Sequence, residues 1–373
     1  MRSKPMRIWL VLAAVAVLGI PAIAARHVTV EQLQQSVAEQ VASGRPDGEV
    51  AQDIASLELT EQLTHAALNG ILFASKPGPK TSQALQLLAD TSSFLEPPEG
   101  EQQKRPRPDA PARQAMTSAM QIFATDTLRN LPDFLATRLT RSYDNDPIAR
   151  NSVGWFPPSD LHLAGTYSQE ITYRDGREVF LGKARDPLAG ARKLPPSPEF
   201  ISIGEFGPAL RNVLRDAIGG HIVWSHWEGT GEQPVAVFHY EVPKELSHLE
   251  VGNCSKRHLA RNPSDDSNSY CIKPAYHGLI YLNPATGAIL RIVLEGEFKP
   301  ADPITRAALS VDYGAVEIGD KSCYCPMHSV AILSVQSNPD GGPRNRAILS
   351  MNEVSFTNYH RFGSTVDVVP EDR

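Results

Sequence analysis

Histidine is the residue type that most invites a chemical reading. His221, His226, His239, His248, His258 and His277 crowd into one stretch of the chain. In a strand running from His221 to Glu228, alternation puts Trp224, His226 and Glu228 on one face. In a strand from Val235 to Val242, His239 and Glu241 share a face with Val237. If the two strands pair, imidazoles and carboxylates gather as a metal or acid–base site needs. No His-Glu-x-x-His or similar spacing accompanies them. Histidines on a solvated sheet face give the same pattern, so the expectation is no metal, no cofactor and no catalytic residue.

Other chemistries find less support. Ser225 neighbours His226, but adjacent strand positions face opposite ways, and no Gly-x-Ser-x-Gly elbow is present. Phosphate loops and dinucleotide fingerprints are absent. Asp265 and Asp266 stand in a polar loop, where solvation is their simplest role.

Of the four cysteines, Cys254 and Cys271 bracket that loop. Closing it as a disulfide contributes about 3 kcal/mol on the chain-entropy account. Cys323 and Cys325 lie two apart in a strand-like run and share a face. A bridge between them is strained, leaving crossed pairing or two buried thiols as alternatives.

Aromatic residues give the best candidate for binding. Trp224, Trp227, Phe238, Tyr240, Tyr276 and Tyr281 fall on three expected strands. A helix over 205–219 carries Phe206, Leu210, Val213, Leu214 and Ala217 as one apolar stripe. Ser202 to Glu205 is its capping box, and Gly219 and Gly220 end it. The aromatics either fill a core beneath that helix or line an apolar cavity. The expected ligand-contacting residues are Phe206, Leu210, Trp224, Trp227, Phe238, Tyr240 and Tyr281.

The elements that must position these residues follow from periodicity. Residues 25–94 read as a helical module. Thr29 to Gln32 forms a capping box before Val30, Leu33, Val37 and Val41, and Asp47 and Thr60 can cap two further short helices. Such a module either packs on itself or docks a protein partner. Residues 95–111 are charged and Pro-rich, a semi-rigid linker. A helix from Ala112 to Asn130 follows.

From Phe134 the period changes to two. Strands are expected at 163–173, 221–228, 235–242, 276–282, 288–298, 309–313, 324–335 and 348–360. Asn283 to Gly287 makes a tight turn, and Asp175-Gly176, Gly319-Asp320 and Asp340 to Gly342 mark others. The fold class is α+β. N-terminal short helices precede a curved antiparallel sheet, an open half-barrel over 112–369 that covers one or two helices.

The chain of 373 residues is 41% hydrophobic and 21% charged, with 30 prolines, enough for a substantial core and too apolar for wholesale disorder. Arg2, Lys4 and Arg7 precede an apolar run from Ile8 to Ile20. Pro21 and an Ala22-Ile23-Ala24 site then complete a leader pattern over 1–24. Removing the leader takes the formal charge from −6 to −9, which disfavours nucleic acid as a partner. The expected location is periplasmic or secreted, consistent with the cysteine usage.

The stretch Gly278 to Arg291 resembles the hairpin of LolA-type lipoprotein carriers and RseB-type periplasmic sensors: apolar strand, Asn-x-x-Thr-Gly turn, strand ending in a basic residue. Val311 to Asp320, running into Cys325-Pro326, resembles their next hairpin. Met116 to Leu128 with Phe134 to Thr140 resembles their opening helix and first strand. The chain also resembles uncharacterised exported bacterial proteins through Tyr173 to Glu178, Gly204 to Leu210 and Trp224 to Glu228. The resemblance implies an envelope protein that binds an apolar ligand, a lipid or a lipoprotein acyl chain, without catalysis. A protein-interaction or sensor module is the alternative, and a metal-dependent hydrolase using the His/Glu faces is a third.

Overall fold

A computed structural model describes residues 26–145, 161–174, 177–185, 205, 208–229, 234–252, 254, 271–337 and 346–361. The leader, Ser202 to Gly204, Phe206, His258, Asp265, Asp266 and the turns at 175–176 and 340–342 lie outside them.

The N-terminal module comprises β1 (Arg26–Val28), α1 (Val30–Ala42), α2 (Asp47–Ala55), β2 (Leu57–Leu59), α3 (His65–Ser75) and α4 (Pro79–Thr91). It has its own core, with Leu33, Val37, Val50, Ile54, Ile71 and Leu85 almost wholly enclosed. The capping box at Thr29 and Gln32 opens α1 as its spacing requires. Two helix starts differ from the sequence reading. Thr60 completes the parallel β1–β2 pair by donating its N–H to Val28, and Thr64 caps α3 instead, its hydroxyl accepting from Ala67 N at 3.1 Å. That shift makes His65 the first residue of α3.

Asp47 begins α2 rather than capping it. Its carboxylate accepts from Lys80 N at 2.9 Å and Thr81 N at 3.0 Å, and so caps α4. Gly78, the N-cap of α4, has no side chain to do this. A Cβ there would meet Asp47 Cγ at 2.4 Å, so the glycine admits the foreign cap. Helix α4 itself was not expected from the sequence; Pro79 at its first position sets the backbone for it.

The second part opens with α5 (Ala110–Asn130), β3 (Phe134–Asp144), β4 (His162–Arg174), β5 (Arg177–Arg185) and α6 (Pro208–Gly219). It continues through β6 (His221–Glu228), β7 (Val235–Val242), β8 (Val251–Gly252), β9 (Cys271–Ile272), β10 (Ala275–Leu282) and β11 (Ile289–Glu297). The last strands are β12 (Ile304–Ile318), β13 (Lys321–Ser337) and β14 (Arg346–Arg361). Ten of these strands form one open antiparallel sheet, in the order β5-β4-β3-β14-β13-β12-β11-β10-β7-β6. The fold is α+β, as the periodicity predicts. Helix α6 begins at Pro208, three residues later than expected, with Glu205 in a turn before it.

Topology explains where α6 must lie. The chain leaves β5 at one edge and re-enters as β6 at the other, so the connection crosses the whole sheet. Its apolar stripe of Leu210, Val213, Leu214 and Ala217 is buried on one face, here called inner, together with Met116, Met120 and Ala124 of α5. The same face supplies Phe238, Tyr240, Tyr276, Ile280, Leu282, Ile292 and Leu294. Gly278 has a specific function in this layer. The Tyr240 hydroxyl reaches across it and donates to Val293 O at 2.9 Å, and a Cβ on Gly278 would meet that carbonyl at 1.9 Å. Gly287, at φ +72°, ends the Asn283 turn, and a Cβ there would meet the Ala119 backbone of α5 at 2.4 Å. The turn motif therefore seats the helix as well as reversing the chain.

The opposite, outer face carries the N-terminal module. Leu87 and Phe94 pack on Ala308, Val330, Ile332, Met351 and Tyr143. Residues 95–109 are not a free spacer. Gln103 N donates to Trp227 O, Gln102 bridges to Glu228, and Trp227 Nε1 donates to Pro106 O at 3.1 Å. The Pro-rich segment thus pairs with the C-terminal end of β6 and covers that part of the sheet edge. Cys254 and Cys271 are bridged, tying the loop as expected. Cys323 and Cys325 are free thiols on β13, Cys325 buried.

Candidate functional site

The six described candidate ligand residues do not all share one groove: Trp224 and Phe238 do, and the others lie elsewhere. Leu210 and Tyr240 are buried within the solid core beneath α6. Trp227 packs against Trp224, ring centroids 4.8 Å apart, below the Pro-rich segment. Tyr281 faces the outer side with Val237 and Val293, and Arg291 lies over its ring at 5.5 Å. Its odd position on β10, opposite in parity to Tyr276 and Ile280, requires this. Phe206 lies outside the described residues.

Trp224 and Phe238 do share a groove. It occupies about 450 Å³ between the start of α5, the end of α6 and edge strand β6. Phe238 packs edge-on to Trp224 at 5.4 Å, and Ile222, Ala217 and Ile218 complete an apolar wall. Ile218 is 53% exposed, so this wall continues to the surface. The other wall carries Arg107, Arg113, Gln114, Thr117 and Gln121, with no acidic residue in the lining among the described residues. Arg113 is oriented by its bond to Pro108 O at 2.7 Å. The arginines were missed because they lie in the linker and on the polar side of α5; only packing brings them opposite Trp224.

At the root of the groove α6 is held by a buried carboxylate. Asp216 accepts from the Tyr276 hydroxyl at 2.9 Å and from His248 N at 2.7 Å, and His248 Nδ1 lies 2.7 Å from its other oxygen. Burial, then the bond to Asp216, pushes the Tyr276 phenol far above its ordinary range. These contacts fix the end of α6 that forms the groove wall.

The two His-bearing strands pair, but a register shift between Trp224 and His226 separates what simple alternation grouped. Trp224 stays inside, opposite Phe238, while His226 lies opposite outward-facing Val237. His226 Nε2 lies 2.9 Å from Glu228 and its Nδ1 2.8 Å from Ser225, whereas His239 turns to Glu241 at 3.9 Å and His277 to Glu297 at 3.2 Å. Each imidazole has its own carboxylate. Among the described residues, no bond or ion pair joins His226 to His239. A different pair of histidines, His65 and His328, meets where the module docks; their separation in sequence hid them.

No protein-family model matches the chain, and no curated protein matches it. Among solved structures it is similar to a LolA superfamily protein from Nitrosomonas europaea, at 8% identity and a TM-score of 0.27, over 67% of this chain and 94% of that one. The fold class stands on the strand order and helix placement described above.

Proposed function

We propose that the chain is a non-catalytic envelope protein that binds an amphiphile with an acidic head and an apolar tail. The groove between α5, α6 and β6 carries this reading. One wall offers Ile222, Trp224 and Phe238 to an acyl chain, and the other offers two guanidiniums with no competing carboxylate. The leader pattern and the Cys254–Cys271 bridge support an exported protein in an oxidising compartment. A lipid or lipoprotein acyl chain fits the lining chemistry.

Native mass spectrometry of the mature chain from an exporting host, followed by organic extraction, tests the reading. The expected result is near-stoichiometric lipid, lost in an Arg107→Ala, Arg113→Ala double variant and in Ile222→Glu. A bare mass for the folded chain, with no change in tryptophan emission on adding fatty acid, sinks it.

A second reading, a protein-interaction module, is favoured by one observation. Leu210, Val213, Leu214 and Ala217 of α6 are buried, while Ile218 at 53% and Val223 at 37% exposure present apolar surface beside the groove. In that case a partner segment occupies the same groove.

A further inference from the structure

The seam between module and sheet holds a cluster of ionisable groups that amphiphile binding does not use. His65 comes from the first turn of α3, Asp312 from β12 and His328 from β13. Asp312 and His328 are cross-strand partners on the outer face. Their ligand atoms converge. His65 Nε2 lies 3.4 Å from Asp312 Oδ2, and His328 Nδ1 lies 3.5 Å from the same oxygen. All three atoms fall within 4.8 Å of one another. Two nitrogens and an oxygen bound at about 2.0–2.1 Å to a tetrahedral ion stand about 3.4 Å apart. The two edges that meet at Asp312 Oδ2 already have that spacing.

The surroundings fit the same chemistry. Behind His328, its other nitrogen faces Asp90 of α4 at 3.5 Å and Glu353 of β14 at 3.7 Å, both nearly fully buried. A carboxylate hydrogen-bonded behind a ligating imidazole fixes the ring and raises its basicity; here both carboxylates stand at ion-pair distance from that nitrogen. Arg291 takes the far side of Asp312, its Nε 3.7 Å from Oδ1, and leaves Oδ2 to the histidines. Arg291 is itself anchored to Ser310 Oγ and Ser93 O, and Arg141 neutralises Glu353 at 2.7 Å. A crevice lined by His65, Gln86, Asp90 and Arg291 adjoins the cluster.

We propose that His65, Asp312 and His328 bind a divalent transition-metal ion of the zinc class across the seam, joining the helical module to the sheet. Two imidazoles and one carboxylate select this class over calcium or magnesium, which prefer all-oxygen sites. The sequence reading expected no metal because its search centred on residues 221–277, outside which both ligating histidines lie.

The test uses the full mature chain, stripped with chelator, and zinc chloride alone as probe. Calorimetry and native mass spectrometry should find one ion per chain. Cobalt substitution should give the intense visible bands of a tetrahedral site. His65→Ala, at a side chain exposed enough to leave folding intact, should weaken binding at least tenfold, and Asp90→Asn about tenfold through the ring it orients. Zinc should slow amide exchange in α3 and α4 of the parent chain but not of His65→Ala. No zinc binding, or binding unchanged in His65→Ala, overturns the site. Binding that leaves α3 exchange unaltered overturns the bridging role.

Discussion

The inner and outer faces of the sheet are covered in different ways. On the inner face, α5 and α6 close over Phe238, Tyr240, Tyr276 and Ile280, and buried polar groups such as Asp216 and the Arg138–Glu205 pair are enclosed with their partners. On the outer face a self-contained module rests on a smaller apolar contact around Phe94 and Leu87, bordered by Arg291, Asp312, His328 and Glu353. Apolar burial holds the first cover irrespective of fine geometry. The second depends on matched charges, which favour one register and respond to ions. The contrast predicts that the inner cover unfolds with the sheet, whereas the module opens before it.

The most severe way to break this contrast is to empty the inner layer. Ile280→Ala removes a fully enclosed side chain and should cost about 2–5 kcal/mol in urea unfolding, with every sheet signal lost together. A sharper instrument is Phe94→Ala, which removes the outer anchor that also stacks with Arg306 at 5.3 Å. It should cost about 1–3 kcal/mol, seen as faster amide exchange in α3 and α4 while β10 and β11 keep their protection. If the sheet loosens equally, the two covers form one cooperative unit and the contrast fails.

The smallest effect lies within the module. Hydrogen bonds from Thr81, together with the Lys80 N–H, hold the Asp47 carboxyl below its ordinary value. A lowered folded value means that the unfolded chain binds the proton more readily, so the contribution is present above the unfolded value and fades as pH falls through the folded one. The Lys80 and Thr81 amides should therefore lose protection, relative to their intrinsic exchange rates, as pH falls. Asp47→Ala should remove that dependence and leave them unprotected throughout, as NMR exchange would show.

Much of the sheet was legible because alternation is local. The hairpin around Asn283 to Gly287, the strands flanking it and the stripe of α6 all follow from side-chain period and turn chemistry. What was not legible depends on distant partners. Asp47 reads as an N-cap, and it is one, but for a helix over thirty residues away. Tyr281 reads with the other aromatics, yet parity turns it to the far face. The groove needs Arg113 brought opposite Trp224, and the seam needs His65 brought to His328, and neither pairing leaves a mark in spacing.

The pairing of β3 with β14 has a consequence for the order in which the molecule comes into being. Ser142 bonds Asn352 across 210 positions, and this ladder lies inside the sheet, with three strands on one side of it. A chain made from its N-terminus has β3 to β5 early and the six strands from β6 to β13 of the same sheet later, as two partial sheets with raw edges at β3 and β13. Closing so long a loop is slow, and both edges stay open until the final strand is synthesised. The helices of the module, whose contacts are local, can mature during that wait. β14 is thus the keystone laid last, and losing it would leave two unjoined partial sheets rather than one frayed edge.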